Sequence, residues 1–137
     1  MELAIVYLIG AGLYAGTELL WRGWTHWTMP LAGGLCLVLI LFVSGIRCPL
    51  WHKWLMGTAI ITTIEYITGC IVNLAAGMQV WDYSMERVNL MGQICPRFCV
   101  YWFCLSVPAT ALCGLLRRLF QLERNFSLTA ERTCEEK

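Results

Sequence analysis

The amino-acid sequence predicts an all-α, polytopic membrane protein with four transmembrane helices and with both termini in the cytoplasm. Three observations support this prediction. Of the 137 residues, 58% are apolar and 14% are charged, whereas a soluble domain usually carries about 25% charged residues. The apolar residues fall into four long segments, and the basic residues are concentrated on one side of those segments.

The four apolar segments are the predicted spans, because a helix needs roughly 20 mostly apolar residues to cross the hydrocarbon core. In chain order they are residues 3–21, 30–46, 54–74 and 90–116, and together they define a four-helix transmembrane domain over residues 1–116. We do not expect the first span to be a signal peptide, because only Glu2 precedes it and a signal peptide begins with basic residues. Residues 117–137 are predicted to form a cytoplasmic, partly amphipathic tail.

The positions of lysine and arginine predict the orientation, because these residues are enriched in cytoplasmic loops. The side with more of them carries Arg47, Lys53, Arg117, Arg118 and Arg124. The opposite side carries Arg22 and Arg87, with Arg97 placed inside the fourth span. This excess predicts cytoplasmic N- and C-termini in a multi-pass protein of the inner or plasma membrane, and a dual-topology dimer is the alternative.

The composition also excludes classes of function. The net charge is +1 and no basic run is interleaved with aromatic residues, so the sequence predicts the lipid bilayer, and no nucleic acid, as a partner. No GxSxG, HExxH, P-loop or dinucleotide-binding pattern occurs, and we expect no cofactor. The eight cysteines are interpreted as small apolar packing residues, and metal binding is left open.

Ionisable and amide side chains inside the spans are the candidate site residues, because such groups are costly in a membrane and usually serve a function. Glu65 lies about 16 Å along the third span, near the bilayer midplane, and Asn73 lies on the same helical face. Glu18 lies near the outer end of the first span. A further polar stripe opens the fourth span and consists of Asn89, Gln93 and Arg97.

These stripes predict a polar cavity between the first, third and fourth helices that opens outward. An Arg97 within the membrane needs a carboxylate or water beside it, and Glu65 and Glu18 are the available carboxylates. The alternative is that a Glu–Arg pair only fixes the register of the helices. In the connection after the third span, Asp82 and Tyr83 belong either to a lid over the cavity or to an interfacial turn.

Three stretches of the chain match a known family. They are Gly16 to Glu18 with Arg22-Gly23 and Pro30, then Glu65-Tyr66 with Gly69, and finally Trp81-Asp82-Tyr83-Ser84 followed by Asn89, Gly92, Ile94-Cys95 and Trp102. In these stretches the chain resembles the CmpB-like family of small bacterial membrane proteins, known as ABC-transporter type IV permeases. It departs from the family at Ala32-Gly33, where members tend to carry Tyr-Gly. The resemblance implies a polytopic membrane fold.

Three functions are compatible with these residues. The first is a small transporter, or a permease-like transporter subunit, with an intramembrane carboxylate site for a cation, a proton or a small substrate. Because four spans are few for a permease, this function implies a homo-oligomer that recruits an ATPase or another membrane subunit. The second is a non-catalytic partner or sensor subunit. The third, a membrane-embedded enzyme using Glu65, Glu18 and Asp82, is the least favoured because no nucleophile accompanies the carboxylates.

Overall fold

The computed structural model describes the backbone of residues 1–135 and the side chains of residues 1–125. Four α-helices follow one another along the chain: α1 (Glu2–Arg22), α2 (Thr28–Ser44), α3 (Leu50–Gly69) and α4 (Pro96–Glu135). A π-helical turn, Cys70–Ala75, continues α3 toward the long connection. The described backbone contains no β-strand, so the predicted all-α class is confirmed.

Three helical stretches are long and apolar enough to cross a membrane: Glu2–Arg22, Leu50–Ala75 and Pro96–Asn125. They contain 21, 26 and 30 residues, and even the shortest measures about 31 Å, close to the thickness of the hydrocarbon core. The helix α2 carries no charged residue, but its 17 residues reach only about 26 Å. The architecture is therefore three long apolar helices around one shorter apolar helix.

The start of the fourth helix differs from the prediction. The helix begins at Pro96, not near residue 90, and proline is favoured at a first helical position because its missing N–H needs no partner there. Residues 90–95 instead form a tight turn in which Leu90 N–H donates to Ile94 O at 2.9 Å. Met91 and Gly92 both have positive φ angles, of 53° and 68°, which end the helical pattern.

The other end of α4 continues without interruption past residue 116, where the sequence predicted the span to end. The predicted tail, residues 117–137, thus begins as part of the same helix. The side chains of residues 126–137 lie outside the described part of the chain.

The helix α2 lies at the centre and packs against the other three helices, whereas α1 packs mainly against α2. Glycines permit the close crossing of α1 and α2. A Cβ atom on Gly10 would lie 2.6 Å from Leu37 Cβ and 2.7 Å from the carbonyl oxygen of Gly33. The main core then consists of apolar side chains from all four helices, including Val6, Leu37, Ile40, Ile61 and Cys113.

Candidate functional site

The carboxyl group of Glu65 lies inside the helix bundle, where the residue is 9% exposed. Its two oxygens have different donors: the Tyr83 hydroxyl donates to Oε1 at 3.2 Å, and the Trp102 indole N–H donates to Oε2 at 2.5 Å. Through residue 125, no cationic side chain pairs with this carboxylate. The site thus holds a buried acid with two neutral donors, an arrangement that costs free energy when the acid is charged.

A small cavity lies beside Glu65. Its volume is about 10 Å³, which is room for about one water molecule. Helices α1, α2 and α3 and the long connection line it through residues that include Tyr14, Met29, Cys36, Ile61, Thr68 and Trp81. The predicted cavity was polar and lay between the first, third and fourth helices; the structure places it against α2 instead, because α1 packs on α2, and its walls are mostly apolar.

The connection between α3 and α4 is folded onto the end of α3 by Asn73, which is buried. The Asn73 amide donates to Trp81 O at 3.0 Å and to Gln93 Oε1 at 2.8 Å, and its oxygen accepts from Val80 N–H at 2.7 Å. The Trp81 indole donates to Gln93 O at 3.0 Å. The structure therefore brings the predicted residues Asn73 and Gln93 together, in a network that fixes the connection and does not include Glu65.

Tyr83 joins this connection to the carboxyl site. Its ring stacks on Phe98 with centroids 4.4 Å apart, and its hydroxyl reaches Glu65. Burial, followed by the neighbouring Glu65 carboxylate, raises the pKa of Tyr83 above its usual range. The tyrosine therefore stays protonated and acts as a hydrogen-bond donor to the acid.

Asp82 and Asn89, by contrast, serve the connection itself. Asp82 is exposed and accepts from Ser84 N–H at 2.8 Å and from Ser84 Oγ at 2.9 Å, and these hydrogen bonds hold the pKa of Asp82 below its usual range. Asn89 accepts from Gly92 N–H at 2.9 Å and donates to Glu86 O at 2.9 Å. Both side chains stabilise local turns and lie apart from the carboxyl of Glu65.

Arg97 does not pair with Glu65 or Glu18, so this part of the prediction is wrong. Its guanidinium pairs with Glu86 at 3.2 Å, and 62% of the Arg97 side chain is exposed. The reason is the late start of α4: Arg97 is the second residue of that helix, at its end, and not two turns inside it.

Glu18 also has a partner of its own. It forms an ion pair with Arg22 at 2.6 Å and accepts from Thr25 Oγ1 at 2.6 Å. Arg22 in turn donates to Val80 O at 3.0 Å and stacks over the Trp24 ring at 4.4 Å. This cluster ties the end of α1 to the connection between α3 and α4.

Two side chains of the site were not among the predicted site residues. Trp102 donates to Glu65, and Tyr14 lines the cavity. A signal for Trp102 exists in the sequence: tryptophan prefers the water–lipid interface, and one placed well inside a span needs an acceptor for its N–H. Nothing in the sequence pairs Tyr14 with Glu65, because that requires knowing that α1 crosses α2 at Gly10.

Comparison with known proteins gives two matches. The family described as "Putative ABC-transporter type IV" (CmpB) matches residues 22–127. Over 102 residues, 69% of this chain, the sequence is 26% identical to YcaI of Escherichia coli (strain K12), described as an uncharacterized protein. The aligned region is 12% of the length of YcaI, so the chain corresponds to a small part of that protein. No solved structure matches. Since the family match covers more than half of the sequence, the chain belongs to the CmpB family of ABC-transporter type IV proteins.

Proposed function

We propose that this chain is a subunit of a membrane transport system in which Glu65 binds and releases a proton or a small cation. The family match and the three long apolar helices support a membrane transport-related role. The observation that carries the finer proposal is the buried Glu65 carboxyl, which has two neutral donors and no cationic partner among the described residues.

The donors of Glu65 make both protonation states accessible. A charged carboxylate accepts hydrogen bonds from Tyr83 and Trp102, which partly replace the water lost on burial. A neutral carboxyl avoids the cost of a buried charge and can still accept from the same donors. A purely structural acid would be expected to pair with an arginine or lysine, as Glu18 does with Arg22.

The size of the cavity limits the ligand. A volume of about 10 Å³ accommodates about one water molecule or an ion of similar size. A proton or a small cation therefore fits the site as it stands, while a larger substrate would require α1 or the connection to move. Tyr14 and Thr68, which line the cavity, offer hydroxyl oxygens to such an ion.

The orientation and assembly of the subunit are part of the proposal. We place both termini in the cytoplasm of a bacterial inner membrane, with residues 1–116 as the transmembrane domain and residues 117–137 as the tail. Arg47, Lys53, Arg117 and Arg118 support this orientation, and the ion pair between Glu2 and Arg124 brings the N-terminus beside the far end of α4. A homo-oligomer that engages an ATPase would supply the remaining spans and the energy.

An infrared pH titration of the protein in lipid nanodiscs tests the carboxyl site. We expect a protonated-carboxyl C=O band that appears and disappears with pH, that is lost in Glu65→Gln, and that shifts when Na⁺ or Li⁺ is added if the site also takes a cation. Glu86→Gln is the matched control, because Glu86 is a partly exposed acid in an ion pair. If no band titrates, or if the band survives in Glu65→Gln, Glu65 is not an exchangeable site.

A partner or sensor subunit is the second candidate function. It is favoured by the network of Asn73, Trp81 and Gln93, whose polar groups are satisfied within the chain and would serve to hold a fixed surface. For that function, Glu65→Gln would leave the infrared titration unchanged and would instead weaken assembly with the other subunit, measured by co-purification.

A further inference from the structure

The end of the helix bundle opposite the long connection carries unbalanced positive charge. Four cationic side chains lie there: Arg47, Lys53, Arg117 and Arg118, which we call the basic end. Residues 19–64 and residues 87–122, which contain all four, include no aspartate or glutamate other than themselves being free of both. The acid nearest in space with a defined partner, Glu2, pairs with Arg124 at 3.2 Å.

Two of these cations have a structural role. Lys53 Nζ donates to Ser44 O at 2.8 Å, and Arg117 donates to Leu41 O at 3.3 Å, so both offset the negative end of the α2 dipole. The Arg117 guanidinium also lies against Gly45, where a Cβ would be 2.6 Å from Cζ. Both charges therefore converge on the last turn of α2, and carbonyl oxygens accept from them.

The other two cations are not accounted for by the fold. Arg47, in the connection between α2 and α3, and Arg118, on α4, are both exposed. Within the described residues neither has a carboxylate partner. Their charges add to those of Lys53 and Arg117, so this end has a positive potential that favours an anion.

The surroundings of the basic end indicate which anion. Three apolar side chains beside Arg47 are exposed, Ile46 at 45%, Leu50 at 61% and Trp51 at 52%. Trp51 also stacks on His52 with centroids 3.6 Å apart. Exposed apolar and tryptophan side chains next to cations, at the ends of apolar helices, are typical of the level where lipid headgroups meet acyl chains.

We propose that the basic end binds the phosphate of an anionic phospholipid, with Arg47 and Arg118 as the headgroup-binding residues and with Trp51 and Leu50 against the acyl chains. Lys53 and Arg117 position this surface by holding the end of α2. An acidic protein surface is the competing occupant, but it would not account for the exposed apolar residues at the same level.

Native mass spectrometry of the purified full-length chain tests this proposal. Phosphatidylglycerol and phosphatidylcholine with the same acyl chains are added separately, and the affinity of each is measured from the bound-lipid peaks. We expect wild-type protein to bind phosphatidylglycerol about tenfold more tightly, since each cation near an anionic headgroup favours binding. The double variant Arg47→Gln/Arg118→Gln should reduce this preference to within about twofold.

Two control variants make the test specific. Arg47→Lys/Arg118→Lys keeps both charges and should keep the preference, and Arg87→Gln removes an exposed arginine from the opposite end and should have no effect. Equal binding of the two lipids by wild-type protein, or a full preference in the double Gln variant, would overturn the proposal. Inorganic phosphate that competes at the concentration of the lipid phosphate would show a free-anion site instead.

Discussion

The close crossing of α1 and α2 makes a quantitative prediction about glycine substitutions. Alanine at Gly10 would place its Cβ 2.6 Å from Leu37 Cβ and 2.7 Å from the Gly33 carbonyl oxygen. Both are fixed atoms, so the helices must separate, and overpacking of this kind costs about 1–3 kcal/mol. Alanine at Gly12, two residues along the same helix, would meet nothing within 4 Å. It should leave the free energy of unfolding unchanged or raise it by up to about 1 kcal/mol, through higher helix propensity.

The assay compares the two variants in mixed micelles, with tryptophan fluorescence reporting unfolding as the denaturing detergent is increased. Gly10→Ala should be about 1–3 kcal/mol less stable than Gly12→Ala. Because the same crossing covers Cys36, which is 8% exposed, thiol labelling of Cys36 should be faster in Gly10→Ala. The reasoning would be refuted if the two alanine variants unfolded together and labelled Cys36 at the same rate.

Three further predictions concern the connection between α3 and α4. Asn73→Leu leaves Val80 N–H and its other buried partners unpaired, so we expect a loss of roughly 2–4 kcal/mol in thermal unfolding and faster proteolysis between residues 76 and 95. The lowered pKa of Asp82 means that its stabilising contacts are complete above the usual aspartate pKa and are lost as pH falls through the lowered value. Amide exchange at Ser84 should accelerate in acid, and Asp82→Asn should remove that dependence. Glu18→Ala leaves Arg22 without its carboxylate and should cost about 1–3 kcal/mol, whereas loss of less than about 0.5 kcal/mol would show that the pair is solvent-screened.

The helices were predictable because hydropathy is a local property of the sequence. Apolar runs of the right length mark the helices that the structure contains, and the departure at α4 has a local cause in the turn of residues 90–95 before Pro96. That turn depends on positive φ angles at Met91 and Gly92. Glycine indicates such a conformation, but Met91 gives no sign of it in the sequence.

The candidate site was predictable only in part, because it depends on which helices are neighbours. The position of Glu65 within an apolar span already marked it as costly, and the structure buries it. Its partners could not be predicted in the same way. Periodicity shows that Arg97 shares a face with Gln93, but it does not show that the helix begins one residue before Arg97 or that Trp102 faces the acid.

The π-helical turn Cys70–Ala75 has a consequence for insertions and deletions. In this turn Ala76 N–H donates to Ile71 O, five residues back, where an α-helix would use the residue four back. Deleting one residue there would convert the turn to α-helix and rotate all that follows by about 100°. Asn73 would then miss Val80 and Gln93, although no contacting side chain had changed. Chain length within this one turn, as much as side-chain identity, therefore determines which outer segment the helix can carry, and relatives without the additional residue are expected to build a different one.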